Sequence, residues 1–240
     1  MRTPHVLFAA ALLSFAPTVQ ADCVKGTGEA VRKSLSVDAF HGIHLEGSMD
    51  VVLTQGATQS VEVEAQQNLI ELVETKVSNG IWEITTSDGF TTNKNFIIHI
   101  TVPVIDEVTV DGSGDVTSKG TFSSDAMSLA VAGSGNVTLA FNSKKADVSI
   151  AGSGDMVLSG TCADLHVAVA GSGDVDARAL KAADATVDIA GSGDVTLDAS
   201  QSLEASVAGS GDVNYKGHPA SVKRNVMGSG EVRSMEHGPR

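Results

Sequence analysis

The chain runs to 240 residues with 29 acidic and 16 basic side chains, a formal charge of −13. Such acidity excludes nucleic acid and anionic membranes as targets of the surface as a whole, since both are polyanions. Hydrophobic residues make up 42% but aromatic ones only 4%, which favours a core of small aliphatics in thin layers over a bulky interior.

The first residues read as a secretory signal peptide over 1–21. Arg2 supplies a positive start, Val6–Phe15 a short apolar run, and Val19-Gln20-Ala21 a small-residue cleavage site. The run is too short to cross a bilayer, and no later segment is long enough to form a transmembrane span. Cleavage after Ala21 leaves an exported chain bound for the periplasm, the cell surface or the medium. Asp22 stands before Cys23 where a lipid-attachment site needs a small residue. Export permits a disulfide between Cys23 and Cys162, the two cysteines of the chain. Two separate thiols are the equal alternative.

Residues 22–107 look unlike the rest of the chain. Ile43, Leu45, Gly47, Met49, Val51 and Leu53 share one parity, with His44, Glu46, Ser48 and Asp50 on the other, the alternation of a half-buried strand. "SVEVEA" and "FIIHITV" read as further strands, and Asn79-Gly80 between Val77 and Ile81 is a hairpin signal. The 65 residues from Gly47 to Gly112 leave room for about three coils of a repeat. This divergent region is expected to cap an open strand edge.

Residues 108–234 hold the repeat itself. Gly-Ser-Gly triplets occupy Gly112–Gly114, Gly133–Gly135, Gly152–Gly154, Gly171–Gly173, Gly191–Gly193, Gly209–Gly211 and Gly228–Gly230, at intervals of 18–21 residues. Such a period predicts one solenoid coil per copy. Val131, Gly133, Gly135, Val137, Leu139 and Phe141 share one parity, while Ala132, Ser134, Asn136, Thr138 and Ala140 share the other. The alternation therefore runs through the glycines without losing register. Both glycines of each triplet are expected on the buried side of a bend, where inward β-carbons would collide. Stacked about 4.8 Å apart, the coils would carry ladders of aliphatics inside and of Ser and Asp outside. Each buried Val or Leu contributes about 1.5–3 kcal/mol, but only when a neighbouring coil covers it. One continuous solenoid domain over 22–240 is the expected organisation.

The glycine loops invite several chemical readings. A phosphate loop opens a helix, whereas Asp-Val-Thr-Leu here continues as a strand. A calcium ladder is a weak candidate metal site: Asp115, Asp155, Asp174, Asp194 and Asp212 fall on one stripe, followed by Glu231. Carboxylates about 4.8 Å apart repel by about 0.9 kcal/mol in water, which favours a cation between them. Calcium β-rolls, however, repeat every nine residues or so, and Asn136 interrupts the charge series. An Asx-turn, with each side chain holding a nearby backbone N–H and fixing its corner, accounts for Asn as well as Asp.

Catalysis has less support. A nucleophilic serine should be singular, yet Ser113, Ser134, Ser153, Ser172, Ser192, Ser210 and Ser229 recur in every copy, and no Gly-x-Ser-x-Gly elbow occurs. His41, His44, His99, His166, His218 and His237 are scattered without ligand spacing, and each reads as an isolated exposed side chain. A polysaccharide lyase would need a localised acidic cluster with a basic catalytic residue. Stacking on sugars could draw only on Trp82 and Tyr215, and Tyr215 has core parity. Hydroxyl and carboxylate ladders could still bind sugars by hydrogen bonds alone.

"FHGIHLEGSMDVVLTQG", "IIHITVP", the "GSGDV" series and the closing "GSGDVNYKGHPASVKRNVMGSGEV" together resemble the putative auto-transporter adhesin head GIN domain family, from about Phe40 to Val232. The resemblance implies a right-handed, pectin-lyase-like β-helix in exported bacterial proteins, with no established catalytic residues and with adhesion as the role. Met49 and Asn136 depart from the repeat, and the resemblance is not expected to extend to a transporter barrel. The chain thus reads as an exported, non-enzymatic, all-β solenoid without a cofactor, calcium aside. Its repetitive Ser/Asp face would meet a surface ligand, carbohydrate or protein. The alternative is a polysaccharide-binding or polysaccharide-active β-helix.

Overall fold

Parity carries through into three dimensions. In the strand Met156–Gly171, Met156, Leu158, Cys162, Leu165, Val167 and Val169 are buried, and the side chains between them face outward or lie half-covered. The computed structural model describes residues 23–235, so the expected signal peptide lies outside the described residues. About 68% of the chain is strand and 2% helix, wound as parallel stacked coils into a β-solenoid of about seven turns. Five long strands, Phe122–Gly133, Val137–Gly152, Met156–Gly171, Val175–Gly191 and Val195–Gly209, each supply most of one coil.

The Gly-Ser-Gly corner sets the register. Gly47, Gly112, Gly133, Gly152, Gly171, Gly191, Gly209 and Gly228 stand directly over one another. At all but one step the carbonyl of one glycine accepts two N–H groups from the next coil, as Ser172 and Gly173 donate to Gly152 at 2.9 and 3.2 Å; Gly191 accepts from Ser210 at 2.9 Å. The expected inward collision needs correcting. A β-carbon on Gly173 would run into the backbone carbonyl of Gly154, the matching glycine one coil away, with Ile150 Cγ2 at 2.9 Å as the second obstacle. The main obstruction thus lies along the stack, in backbone that cannot move aside. The first coil separates this cause from the conformational one. Gly47 has open space around it but φ +106°, a region that side chains avoid. Met49, in the second glycine's place, is buried without a glycine corner beneath it.

Opposite this corner lies a second bend that strict alternation hides. Two successive outward residues, such as Lys144-Lys145 or Ala163-Asp164, shift the phase of the pattern there. Coil length varies on this side. Extra residues are absorbed by irregular pairing between Ala177 and Lys181 and between Ala182 and Asp184, while the glycine column stays aligned.

The divergent region corrects a second expectation. No three coils intervene between Gly47 and Gly112: the strand Gly42–Gly47 pairs directly with Glu107–Gly112, and Asp50–Gln55 with Val116–Lys119. The residues between fold back to the far side of the first coil. There Ile81–Ile84 and Ile97–Val102 add a parallel layer, and Ser60–Gln66 and then Ala30–Leu35 close it by antiparallel pairing. The hairpin forms as expected, with φ +53° at Asn79 and +80° at Gly80 between Val77–Ser78 and Ile81–Ile84.

Cys23 and Cys162 are both free, so the disulfide alternative does not hold. Cys23 is exposed in the cap, whereas Cys162 is buried in a middle coil. Burial pushes the Cys162 thiol up, which keeps it protonated near neutral pH. In thiol titration with an aromatic disulfide, one equivalent should react in the native protein and two in denaturant. Thermal and denaturant melts should rank the glycines: Gly47→Ala, opposed by φ alone, costs about 1–2 kcal/mol. Gly173→Val, opposed by the neighbouring backbone, costs about 3 kcal/mol or more.

Candidate functional site

The outer side of the glycine corner carries two ladders. The serines Ser113, Ser134, Ser153, Ser172, Ser192, Ser210 and Ser229 are all exposed. Beside them the acidic column forms a relay from coil to coil. Asp155 Oδ1 accepts the backbone N–H of Asp174 at 2.9 Å, Asp174 accepts that of Asp194 at 2.7 Å, and Asp194 accepts that of Asp212 at 2.7 Å. The relay begins at Asp50, which serves Asp115 at 3.1 Å, and ends with Asp212 serving Glu231 at 2.8 Å.

This geometry amends the Asx-turn reading. Each side chain does hold a backbone N–H, but that N–H belongs to the next coil, 18–21 residues away along the repeat. Asn136 fits the relay without a charge: its Oδ1 accepts from Asp155 at 3.0 Å, and its own N–H and Nδ2 donate to Asp115 at 2.9 Å. Each acid's backbone carbonyl also accepts an N–H from the coil before, as Asp174 does from Met156 at 2.9 Å. The column therefore ties the stack together at both polar ends of every residue. Among the described residues no three His, Cys, Asp or Glu side chains come together to hold a metal ion.

The histidines are less isolated than expected. His41 Nδ1 lies 2.7 Å from Asp106 Oδ1 on the surface. His99 Nε2 lies 3.1 Å from Glu64 and 2.8 Å from Arg32, whose guanidinium donates to the same Glu64 oxygen at 2.7 Å. The Arg32 and His99 hydrogen bonds hold the Glu64 carboxyl below its ordinary value. These three residues come from Ala30–Leu35, Ser60–Gln66 and Ile97–Val102, so the cluster binds the cap's strands to one another. His237 lies outside the described residues.

Neither aromatic candidate offers a stacking face. Trp82 is fully buried beside Phe40, its Nε1–H donating to Glu74 O at 3.0 Å. Tyr215 is buried too, as its parity implied, and its hydroxyl accepts from Arg224 at 2.8 Å.

One surface feature escaped the sequence reading. Ala151, Ala170, Ala190 and Ala208 lie exposed just before the glycine corners and line an open apolar groove of about 480 Å³, with Met227 at one end. The alanines are visible in every "AGSG", but the hollow they share depends on the curvature of the stacked coils.

The model of the family described as "Putative auto-transporter adhesin, head GIN domain" matches residues 39–219. The chain belongs to this family. Among solved structures, a putative adhesin from Bacteroides fragilis superposes with TM-score 0.81 at 23% identity, covering 88% of this GIN-domain chain and all of its own. One from Parabacteroides distasonis gives 0.72 at 24%, covering 89% and 100%. A putative lipid binding protein from the same organism gives 0.71 at 25%, covering 90% and 100%. No curated protein matches the chain. No helix among the described residues is long and apolar enough to cross a membrane.

The relay sets a clear expectation for its acids. Asp174→Ala leaves the Asp194 N–H without its acceptor and should lower stability by about 1 kcal/mol. Asp174→Asn, which keeps an Oδ1 as Asn136 does, should melt within a degree or two of the parent, about what a few tenths of a kcal/mol produce in a chain of this length.

Proposed function

We propose that this GIN-domain chain is an exported, non-enzymatic adhesin that engages a surface ligand through its serine ladder, many weak contacts acting together. The supporting observation is the regular exposure of one hydroxyl per coil, beside acids already committed to holding the stack. A hydroxyl row at strand spacing suits a polymer of repeating hydrogen-bonding units, and a glycan is the ligand class favoured here. Binding energy would be spread over coils, so affinity should grow with the number of serines engaged. A polysaccharide-active enzyme remains the alternative. It would bring acid, base and cation together in one cleft, and Lys145, Asp147, Asp164, His166 and Asp184, which line an open hollow of about 210 Å³, are the residues to test for it.

A glycan array probed with the mature protein, with and without calcium, tests this reading. Binding to extended glycans that falls only slightly in Ser172→Ala, and collapses when Ser153, Ser172 and Ser192 are all changed to alanine, is the expected result. Abolition by Ser172→Ala alone would mean a discrete site. Dependence of binding or melting temperature on calcium would revive the cation ladder.

The alanine groove supports a second reading, an alkyl chain lying along the stack. The similar protein from Parabacteroides distasonis is itself named for lipid binding. Ala170→Arg should then abolish uptake of a fluorescent fatty acid without altering the melt.

A further inference from the structure

Among the described residues the solenoid has two open ends, and each closes an aliphatic column of the core with a cation. On one side the register stacks Val148, Val167, Val187 and Ala205, all buried, and the last strand puts Arg224 next in line. On the other side Val116, Val51, Ile98 and Val63 succeed one another, all buried, and the outermost cap strand puts Lys33 next. The two strands match in other ways. Ala30–Leu35 pairs only with Ser60–Gln66, and Ser221–Gly228 only with Val195–Gly209, so each leaves one backbone edge open among the described residues. Each also flanks its cation with exposed aliphatic surface, Val31 at 42% and Val226 at 39%.

The charges are conspicuous in a chain where acids outnumber bases 29 to 16. Both edge strands nevertheless carry adjacent bases, Arg32-Lys33 and Lys223-Arg224. The partners divide in the same way at both ends. Arg32 meets Glu62 and Glu64, and Lys223 meets Glu204, while Lys33 and Arg224 have no carboxylate within ion-pair distance among the described residues. Arg224 instead donates to the Tyr215 hydroxyl, with its guanidinium 5.8 Å from the ring centroid, over the open end of the core.

We propose that Lys33 and Arg224 keep the two ends of the solenoid from stacking onto a second copy of this chain. An eight-residue parallel edge, aliphatic flanks and a fixed coil spacing are the features that hold one coil on the next. An end-to-end pair of molecules would extend that same contact. Each head-to-tail junction would bury both cations against aliphatic columns with no counter-charge, and uncompensated buried charge opposes association strongly. Such contacts do not close on themselves, so the assembly being blocked is an open fibre.

Sedimentation velocity of the mature chain over a concentration series tests this, with circular dichroism melts reporting the fold. The parent and K33R/R224K should sediment as monomers at every concentration. K33M/R224M keeps the stem lengths and removes the charges, and its weight-average mass should rise with concentration to at least about twofold, as an open-ended series requires. Either single methionine variant should associate less, because one cation still sits in every junction. Should the methionine pair not fold, K33V/R224V, which continues the core columns, is read by the same measure. A folded double variant that stays monomeric overturns the proposal, as does a parent that already assembles through these edges.

Discussion

The fold depends on how closely two backbones approach at one corner. Coils stacked about 4.8 Å apart leave ample room for side chains that point into the core or out to solvent. At the Gly-Ser-Gly bend the chain turns so that a β-carbon would point along the stack, into the carbonyl of the coil before. Glycine alone permits that approach, and the approach brings two N–H groups onto nearly every glycine carbonyl of the column. Once glycine stands over glycine, the positions flanking the corner have their places: aliphatic over aliphatic inside, hydroxyl over hydroxyl outside.

The acid that follows each triplet shows how packing and surface chemistry share residues. Seen in sequence, a column of aspartates looks like a ligand set. In the fold each one is an acceptor for the next coil's backbone, which is why an amide at Asn136 serves as well as a carboxylate. The serines are left as the regular outward groups of the corner. The opposite bend is under no such constraint, and there coil length and pairing vary while the glycine column does not.

Much of this was legible because strand parity is a local property. The buried side of Val131–Phe141, the core position of Tyr215 and the Asn79-Gly80 hairpin arise from spacing and turn chemistry within a few residues. The fold-back of residues 56–106 was not legible, since direct pairing of Gly42–Gly47 with Glu107–Gly112 is decided by contacts far apart in the chain. A count of residues between two glycines cannot distinguish three coils from one excursion. The His99–Glu64–Arg32 cluster was hidden for the same reason, as its members are 32 and 35 residues apart or more.

The sequence by itself determined that this chain forms a coil about every nineteen residues, which side of each strand is buried, and which corner must be glycine. Those properties reside in period and parity. Only the tertiary structure decided where each glycine's missing side chain would have gone, which coil each aspartate holds, and that exposed alanines share a hollow. It also decided that Lys33 and Arg224 end two core columns. Each of these is a relation between neighbouring coils, and a linear pattern records what one coil contains without recording what it meets.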